Sequence, residues 1–368
     1  MEVAIMGAGI SGLSCAITLE KNGVTPTIFE KRKSVGDRFV NAESLFSILN
    51  RPIQDSISYV AENFHIKLSP ITEVDKIFLH SKNQVGSVNG KIGYTNIRGR
   101  HANSFENQLA KQVKSKINFN STDEYKDICK KFDYVVLATG DAEYAVKLNN
   151  YRYDLRCAVK GVTVKGEFIK SNPHVWFNYE ILPKGYGWLI PFSKEEAHLV
   201  IVYTDSTSEI DQIWDKFFSL VCKSLDQDLK ITDDFQIKNY MVGICNESKI
   251  DNTYFIGNCF GAISPGFGFG QFASILTGVY SAYDICGLES YEELVKPLFE
   301  NYNHSIVFRR FLEQLTDKQI DFYVDKLNNK IIDKVVGTVS SKNNGIDFLR
   351  LATPIMKLVN DYKQIESR

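Results

Sequence analysis

Residues 1–30 read MEVAIMGAGISGLSCAITLEKNGVTPTIFE, and this stretch decides the fold. It contains, in order, an apolar segment, a glycine-rich turn, a segment with helical periodicity, a second apolar segment and an acid: Glu2–Met6, Gly7–Gly12, Leu13–Asn22, Thr25–Phe29 and Glu30. A GxGxxG turn between a strand and a helix, with an acid after the next strand, is typical of a Rossmann-like dinucleotide-binding unit. The sequence therefore predicts a parallel sheet near the start of the chain.

The glycines of this turn predict how the dinucleotide is held. Gly7 permits the tight turn, Gly9 lets the backbone approach a pyrophosphate, and Gly12 lets the helix pack closely on the strand. Unpaired N–H groups at the start of the helix favour an anion there. An acid after the second strand is placed to bind a ribose hydroxyl pair. We therefore expect a dinucleotide site that includes Gly7, Gly9, Ser11, Gly12, Glu30 and Lys31.

Length and composition restrict the class of protein. The 368 residues carry 43 Lys and Arg against 44 Asp and Glu, a net charge of −1. At roughly 150 residues per domain this length predicts two or three domains, and the charge balance argues against a nucleic-acid partner, which needs a basic surface. The seven cysteines are scattered without a CxxC pair, so no metal site is expected and a reducing compartment is favoured. With no signal peptide and no long apolar run, we expect a cytoplasmic protein.

A second glycine-rich loop distinguishes FAD from NAD as the dinucleotide. Two later apolar segments lead into Thr139-Gly140-Asp141 and Gly257-Asn258, and the loop Ser264-Pro-Gly-Phe-Gly-Phe-Gly270 then leads into a helical segment, Gln271–Cys286. A second glycine loop before a helix offers further N–H groups to an anionic ligand. Two such loops, near opposite ends of the chain, fit an extended dinucleotide such as FAD.

At this point five segments of the chain are similar to a known family. They are Gly7–Gly12 with Glu30–Gly36, Arg98-Gly99 with Ser104–Leu109, Leu137–Asp141, Gly185–Phe192 (GYGWLIPF) and Phe255–Gly270. Over roughly residues 1–310 the chain resembles the geranylgeranyl reductase family of flavoproteins, within the larger group of para-hydroxybenzoate hydroxylase-like FAD enzymes. The first and last segments occur in many FAD enzymes, whereas GYGWLIPF points to this family.

The resemblance implies the fold class and the domain organisation. The expected fold is α/β, with a Rossmann-like, GR2-type FAD-binding domain, an inserted antiparallel-sheet (α+β) substrate domain and a helical C-terminal tail. The expected FAD-binding domain comprises 1–45, 97–145 and 245–289, the substrate domain 46–96 and 146–244, and the helical region 290–368. In addition, 149–153 is expected to be a loop, Pro297 and Pro354 are expected to break helices, and 346–362 to form an amphipathic helix.

The resemblance also implies roles for individual residues. Arg38 would lie beside the flavin and Arg98 near its adenosine or pyrophosphate end, while the later loop would direct N–H groups towards the pyrimidine edge of the ring. The full set of expected cofactor-binding residues is Gly7, Gly9, Ser11, Gly12, Glu30, Lys31, Arg38, Arg98, Gly140, Gly257, Asn258, Gly266, Gly268 and Gly270. The catalytic candidates are Tyr186 and Trp188, which would line the substrate side, and Glu43.

The implied activity is reduction of a carbon–carbon double bond in an apolar, prenyl- or isoprenoid-like substrate by hydride transfer from reduced flavin. An external electron donor is then required: NAD(P)H, ferredoxin or reduced deazaflavin. Two alternatives remain: a flavin-dependent monooxygenase or halogenase, and a flavoprotein that has lost the family reaction. The last is supported by Asn258 in place of an Asp, by Gly140-Asp141 in place of Asp-Gly, and by the absence of a Cys from Arg38–Glu43. The amphipathic segment 346–362 could contact a membrane, cap the core or bind another subunit.

Overall fold

The computed structural model describes residues 1–204, 210–341, 347, 349–354 and 356–357. The strands are β1 (Val3–Met6), β2 (Thr27–Phe29), β3 (Asn41–Phe46), β4 (Thr72–Glu73), β5 (Lys76–His80), β6 (Val85–Asn89), β7 (Gly93–Arg98), β8 (Ile117–Asn118), β9 (Tyr134–Leu137), β10 (Tyr151–Lys165), β11 (His174–Trp176), β12 (Tyr186–Pro191), β13 (Glu196–Tyr203), β14 (Lys230–Cys245), β15 (Lys249–Ile250) and β16 (Thr253–Phe255). The helices are α1 (Ile10–Lys21), α2 (Ser56–Phe64), α3 (Phe105–Ala110), α4 (Tyr125–Ile128), α5 (Glu143–Lys147), α6 (Ile210–Leu225), α7 (Gln271–Ile285), α8 (Tyr291–Glu313), α9 (Asp317–Lys326) and α10 (Lys330–Ser340).

The first sheet has the order β15-β16-β9-β1-β2-β8. All of its strand pairs are parallel except β15–β16. The central strand β1 is buried over its whole length, as expected for a parallel strand covered on both faces. Helices α1 and α7 lie in contact: a Cβ on Gly278 would come within 2.2 Å of the Ser11 carbonyl oxygen. This sheet is the Rossmann-like part of the molecule.

The second sheet has the order β14-β10-β13-β12-β11-β5-β6. Its pairs are antiparallel apart from β11–β5. Helix α6 covers one face and inserts Trp214, Phe217 and Val221 into a separate apolar core. The contact is close, because a Cβ on Gly187 would lie 2.1 Å from an atom of the Phe217 ring.

A third, three-stranded sheet has the order β3-β7-β4. Asn41 of β3 pairs with Arg98 of β7, and Phe46 with Gly93. Strand β7 also leads towards α3, whose N-cap Ser104 accepts a hydrogen bond from the Asn107 N–H. The third sheet thereby places the polar residues of β3 and β7 near the Rossmann-like sheet.

The fold class predicted from the sequence is confirmed: a Rossmann-like parallel sheet, a largely antiparallel second sheet and a helical region after residue 290. Two local predictions are wrong. The predicted loop 149–153 is wrong from residue 151 onwards, because β10 begins at Tyr151 and pairs there with Cys245 of β14. Helix α8 runs through Pro297, since the side chains of Val295 and Tyr302 are buried on both sides of it and packing outweighs one lost N–H bond.

The remaining predictions concern the end of the chain and the domain boundaries. Residues 349–354 and 356–357 are helical and residue 355 lies outside the described residues, so a break at Pro354 stays a prediction. Of the amphipathic segment 346–362, residues 346, 348, 355 and 358–362 lie outside the described residues. Among the helices of the described part, none is long and apolar enough to cross a membrane. The exact domain boundaries stay a prediction.

Replacing Phe217 tests the packing of α6 on the second sheet. Phe217→Ala should lower the free energy of unfolding by about 3–5 kcal/mol, because it leaves a cavity in a close-packed core. Chemical denaturation followed by circular dichroism measures the loss. Phe218→Ala is the matched control, since this ring is only partly buried, and it should cost clearly less. Equal losses for the two variants would contradict the packing described.

Candidate functional site

A cleft of about 290 Å³ opens at the carboxyl ends of the parallel strands, beside the turn between β1 and α1. The turn leaves no room for side chains on its inner side. Gly7 has φ +119°, and a Cβ there would lie 2.2 Å from the Ala138 carbonyl oxygen, while one on Gly12 would lie 2.0 Å from the Gly7 oxygen. A Cβ on Gly9, in contrast, would have no atom within 4 Å. Gly9 therefore faces open space at the start of a helix, where an anion is favoured.

Glu30 connects the end of β2 to this turn. Its carboxylate accepts hydrogen bonds from the Ala8 N–H at 2.8 Å and from the Arg32 N–H at 2.9 Å. Lys31 lies beside it and forms an exposed ion pair with Asp141 at 3.8 Å. Glu30, Lys31, Ser11 and Gly140 all line the cleft. The structure thus places the predicted ribose-binding acid and the glycine turn at the same cleft.

The cleft adjoins a second cavity of about 170 Å³ that lies against the antiparallel sheet. Both cavities are lined by Arg38, Arg98, Glu106, Asn258 and Ser274. Burial lowers the pKa of Arg38, whose guanidinium carbon lies 4.8 Å from the centre of the Phe39 ring. Three of the predicted cofactor residues, Arg38, Arg98 and Asn258, therefore lie where the cavities meet.

Arg98 lies between two carboxylates at this junction. Its Nε donates to Glu106 at 2.8 Å, and its Nη1 lies 3.4 Å from the nearer oxygen of Glu43. Glu43 also accepts hydrogen bonds from Asn41 at 2.6 Å and from Gln271. Three side chains thus bond to the Glu43 carboxylate. These contacts indicate that Glu43 positions Arg98 and Gln271.

The second cavity holds the two other catalytic candidates. Tyr186 and Trp188 project from β12 into this cavity, which is also lined by Val200 and Val202 of β13 and by Tyr240 of β14. The Trp188 ring lies edge-on to Phe269 of the glycine loop, with centroids 6.2 Å apart. Burial raises the pKa of the Tyr186 hydroxyl well above its usual range, so Tyr186 stays protonated near neutral pH. The lining is largely apolar.

The N–H groups of Gly266 and Gly268 in the second glycine loop do not point towards a flavin site, contrary to the prediction. The Gly266 N–H donates to Ser305 Oγ at 2.9 Å, and the Gly268 N–H donates to the Ser264 carbonyl at 2.8 Å. These two amides are therefore bonded within the loop and to α8, which is a correction to their predicted direction. Gly270 directly precedes α7 and lines the second cavity. The loop closes the cavity by its backbone and by Phe269.

Gly257 and Asn258 follow β16 and connect the two sheets. Gly257 has φ +58°, a conformation that favours glycine, and its N–H donates to Thr277 Oγ1 at 2.9 Å. Asn258 Nδ2 lies 3.2 Å from the Gly140 carbonyl and 3.2 Å from the Tyr240 hydroxyl. Asn258 thus joins the Rossmann-like part to β14, and as an amide it can donate these bonds, which an ionised Asp could not.

Cys157, Tyr240 and Arg309 are among the cavity residues that the sequence did not predict. They come from β10, β14 and α8, and none lies in a recognisable motif. Alternation along β14 would not have indicated Tyr240, because an irregularity at Asn239 (φ +56°) brings Tyr240 to the side that Phe235 and Ile237 occupy. Within the described residues, no group of three or more His, Cys, Asp or Glu side chains could hold a metal ion.

Comparisons with known proteins agree with this architecture. Residues 5–51 match the family model of the NAD(P)-binding Rossmann-like domain. A geranylgeranyl bacteriochlorophyll reductase-like protein from Thermoplasma acidophilum matches with a TM-score of 0.73 and 16% identity, over 97% of this chain and 98% of the other. A flavin-dependent brominase matches with a TM-score of 0.67 and 14% identity, over 99% and 100%. Aklavinone-11 hydroxylase, solved with FAD and aklavinone, matches with a TM-score of 0.56 and 15% identity, over 78% and 62%. At these identities the likeness shows the fold.

A buried histidine near the second cavity predicts how stability depends on pH. His198 of β13 is fully buried, its ring nitrogens have no partner among the described residues, and it stacks on Phe235 at 5.5 Å. Burial lowers its pKa from 6.5 to about 3. Because the folded state then binds fewer protons than the unfolded state, His198 reduces stability as the pH falls from about 6.5 towards 3.

His198→Leu should therefore make stability less sensitive to acid. The wild-type protein takes up one proton at His198 on unfolding when the pH lies between the folded and unfolded pKa values of this histidine. Without that proton, the free energy of unfolding should fall by about 1.4 kcal/mol less for each pH unit in this range. The free energy of unfolding of both proteins, measured by denaturant titration from pH 6 to pH 4, gives the two slopes. Equal slopes would show that His198 does not titrate as described.

Proposed function

We propose that this chain is an FAD-dependent oxidoreductase. The observation that carries the proposal is that the two cavities adjoin and share five lining residues, so that together they reach from the turn between β1 and α1 to the antiparallel sheet. An extended dinucleotide with a redox-active ring at one end fits such a path, and one of the structural neighbours was solved with FAD bound.

The residues of the two cavities fit the parts of FAD. The open side of Gly9 and the start of α1 suit the pyrophosphate, and Glu30 suits the ribose hydroxyls. Arg38, at the junction of the cavities, suits the flavin. When bound, the flavin supplies hydride or electron transfer, and the protein supplies placement and polarity. Asn258 would hold the linking chain without adding a negative charge.

For the reaction itself we favour reduction of a carbon–carbon double bond in an apolar substrate. The apolar lining contributed by Val200, Val202 and Trp188 supports this, as does the likeness to a geranylgeranyl bacteriochlorophyll reductase-like protein. These side chains exclude water from a bound substrate. Neutral groups there that retain a proton near neutral pH are the hydroxyls of Tyr186 and Tyr240, whose pKa values are raised by burial, and the Cys157 thiol, whose pKa is raised by burial to about 11.

An oxygen-dependent halogenase or hydroxylase is the second candidate, favoured by the likeness to the brominase and to the aklavinone hydroxylase. Anaerobic reduction of the purified protein with NAD(P)H, reduced ferredoxin or reduced deazaflavin, followed by mixing with oxygen or with a prenyl substrate, separates the two. A reductase should be reoxidised faster by the substrate than by oxygen, and rapid reoxidation by oxygen alone would favour the second candidate.

Gly9→Val tests the placement of the cofactor. The valine side chain would enter the open space beside the start of α1, so the purified variant should retain at most about a tenth of the wild-type FAD. Flavin absorbance per protein measures the occupancy. Because nothing in the protein lies within 4 Å of that Cβ, the circular dichroism spectrum should be unchanged. Full occupancy in a folded variant would refute the pyrophosphate position.

A further inference from the structure

The second cavity has a polar end next to the glycine loop, formed by Tyr186 of β12 and Arg309 of α8. Both residues line the cavity, and they are 8% and 4% exposed. A Cβ on Gly268 would lie 3.2 Å from the Tyr186 hydroxyl. The polar end is therefore deep in the molecule and adjoins the loop that borders the proposed flavin site.

Arg309 uses only part of its guanidinium within the protein. Its Nε donates to Glu313 at 2.7 Å, and its Nη2 donates to the Lys184 carbonyl. Among the described residues, no hydrogen bond is made by Arg309 Nη1 or by the Tyr186 hydroxyl, and neither atom is sealed off from the cavity. Buried donors normally find an acceptor. Arg309 of α8 and Tyr186 of β12 therefore each present a free donor to a partner that the described part of the protein does not itself supply.

The charges around Arg309 restrict the charge of its missing partner. The titratable groups near the guanidinium are Glu313, Tyr186, Tyr179 and Cys157. Burial raises the pKa of the two tyrosine hydroxyls and of the thiol, so among these groups only Glu313 is negative, and it balances the charge of Arg309. Glu313 and the Lys184 carbonyl take two of the five N–H groups of Arg309, which leaves both of those on Nη1 for an acceptor. A carboxylate that accepts from Nη1 adds one negative charge to this buried site, whereas a doubly charged phosphate would add two, at a greater desolvation cost.

We propose that the ligand of the second cavity is an apolar molecule that carries a carboxylate, and that this carboxylate binds Arg309 Nη1 and the Tyr186 hydroxyl. The apolar part then contacts the side chains of Leu155, Val159, Val200 and Val202, which line the same cavity. This inference rests on the proposed function and adds a substrate class: an acid rather than a neutral hydrocarbon chain.

Binding measurements with two matched pairs of probes test the proposal: octanoate against octanamide, and cinnamate against cinnamamide. Isothermal titration of the purified protein should show each acid binding at least about tenfold more tightly than its amide, since charge-assisted hydrogen bonds are the stronger ones. Arg309→Gln should remove the preference, and Tyr186→Phe should reduce it severalfold. Arg310→Gln, which alters the exposed neighbour on the same helix, is the control and should keep it.

Equal binding of acid and amide by the wild-type protein would overturn the proposal, as would a retained preference in folded Arg309→Gln. If that variant does not fold, the wild-type comparison and Tyr186→Phe, which removes only a hydroxyl, decide the question. The flavin spectrum of the same samples separates the two levels of inference. Flavin-free protein contradicts the proposed function, whereas flavin-loaded protein without acid preference contradicts the carboxylate site alone.

Discussion

Backbone contact at the turn between β1 and α1 is the constraint on which the rest of the molecule depends. Any side chain at Gly12 would come within 2.0 Å of the Gly7 oxygen, and any at Gly278 within 2.2 Å of the Ser11 oxygen. Strand β1, α1 and α7 are therefore packed backbone against backbone. This close packing directs the first N–H groups of α1 into the cleft, because the helix can start only where the turn ends.

A cluster of buried charges connects that cleft to the second cavity. Arg98 of β7 lies between Glu106 of α3 and Glu43 of β3, and Gln271 at the start of α7 also bonds Glu43. Removing Arg98 would leave the two buried carboxylates of Glu43 and Glu106 uncompensated, at a cost of about 3–5 kcal/mol. The cluster thus holds the third sheet against the Rossmann-like part, where the two cavities meet.

Aromatic side chains complete the boundary between the two parts of the molecule. The chain has 24 Phe and 18 Tyr, and several of them lie where the antiparallel sheet meets the glycine turns. Phe39 stacks on Phe235 of β14 with ring centroids 3.7 Å apart, and Phe269 contacts Trp188. Flat rings can fill this boundary while leaving flat cavities between them. Part of the aromatic surplus therefore has a defined location beside the proposed flavin and substrate.

The sequence by itself determined the Rossmann-like sheet, the glycine turn and Glu30, because each depends on local chemistry: a strand period, a tight turn or a helix start. Only the tertiary structure decided that Arg309 reaches the cavity from α8, that Gly266 and Gly268 use their N–H groups internally, and that α8 continues through Pro297. These features depend on contacts between residues far apart in the chain. Local propensity carries no information about such contacts, and packing overrides it where the two differ.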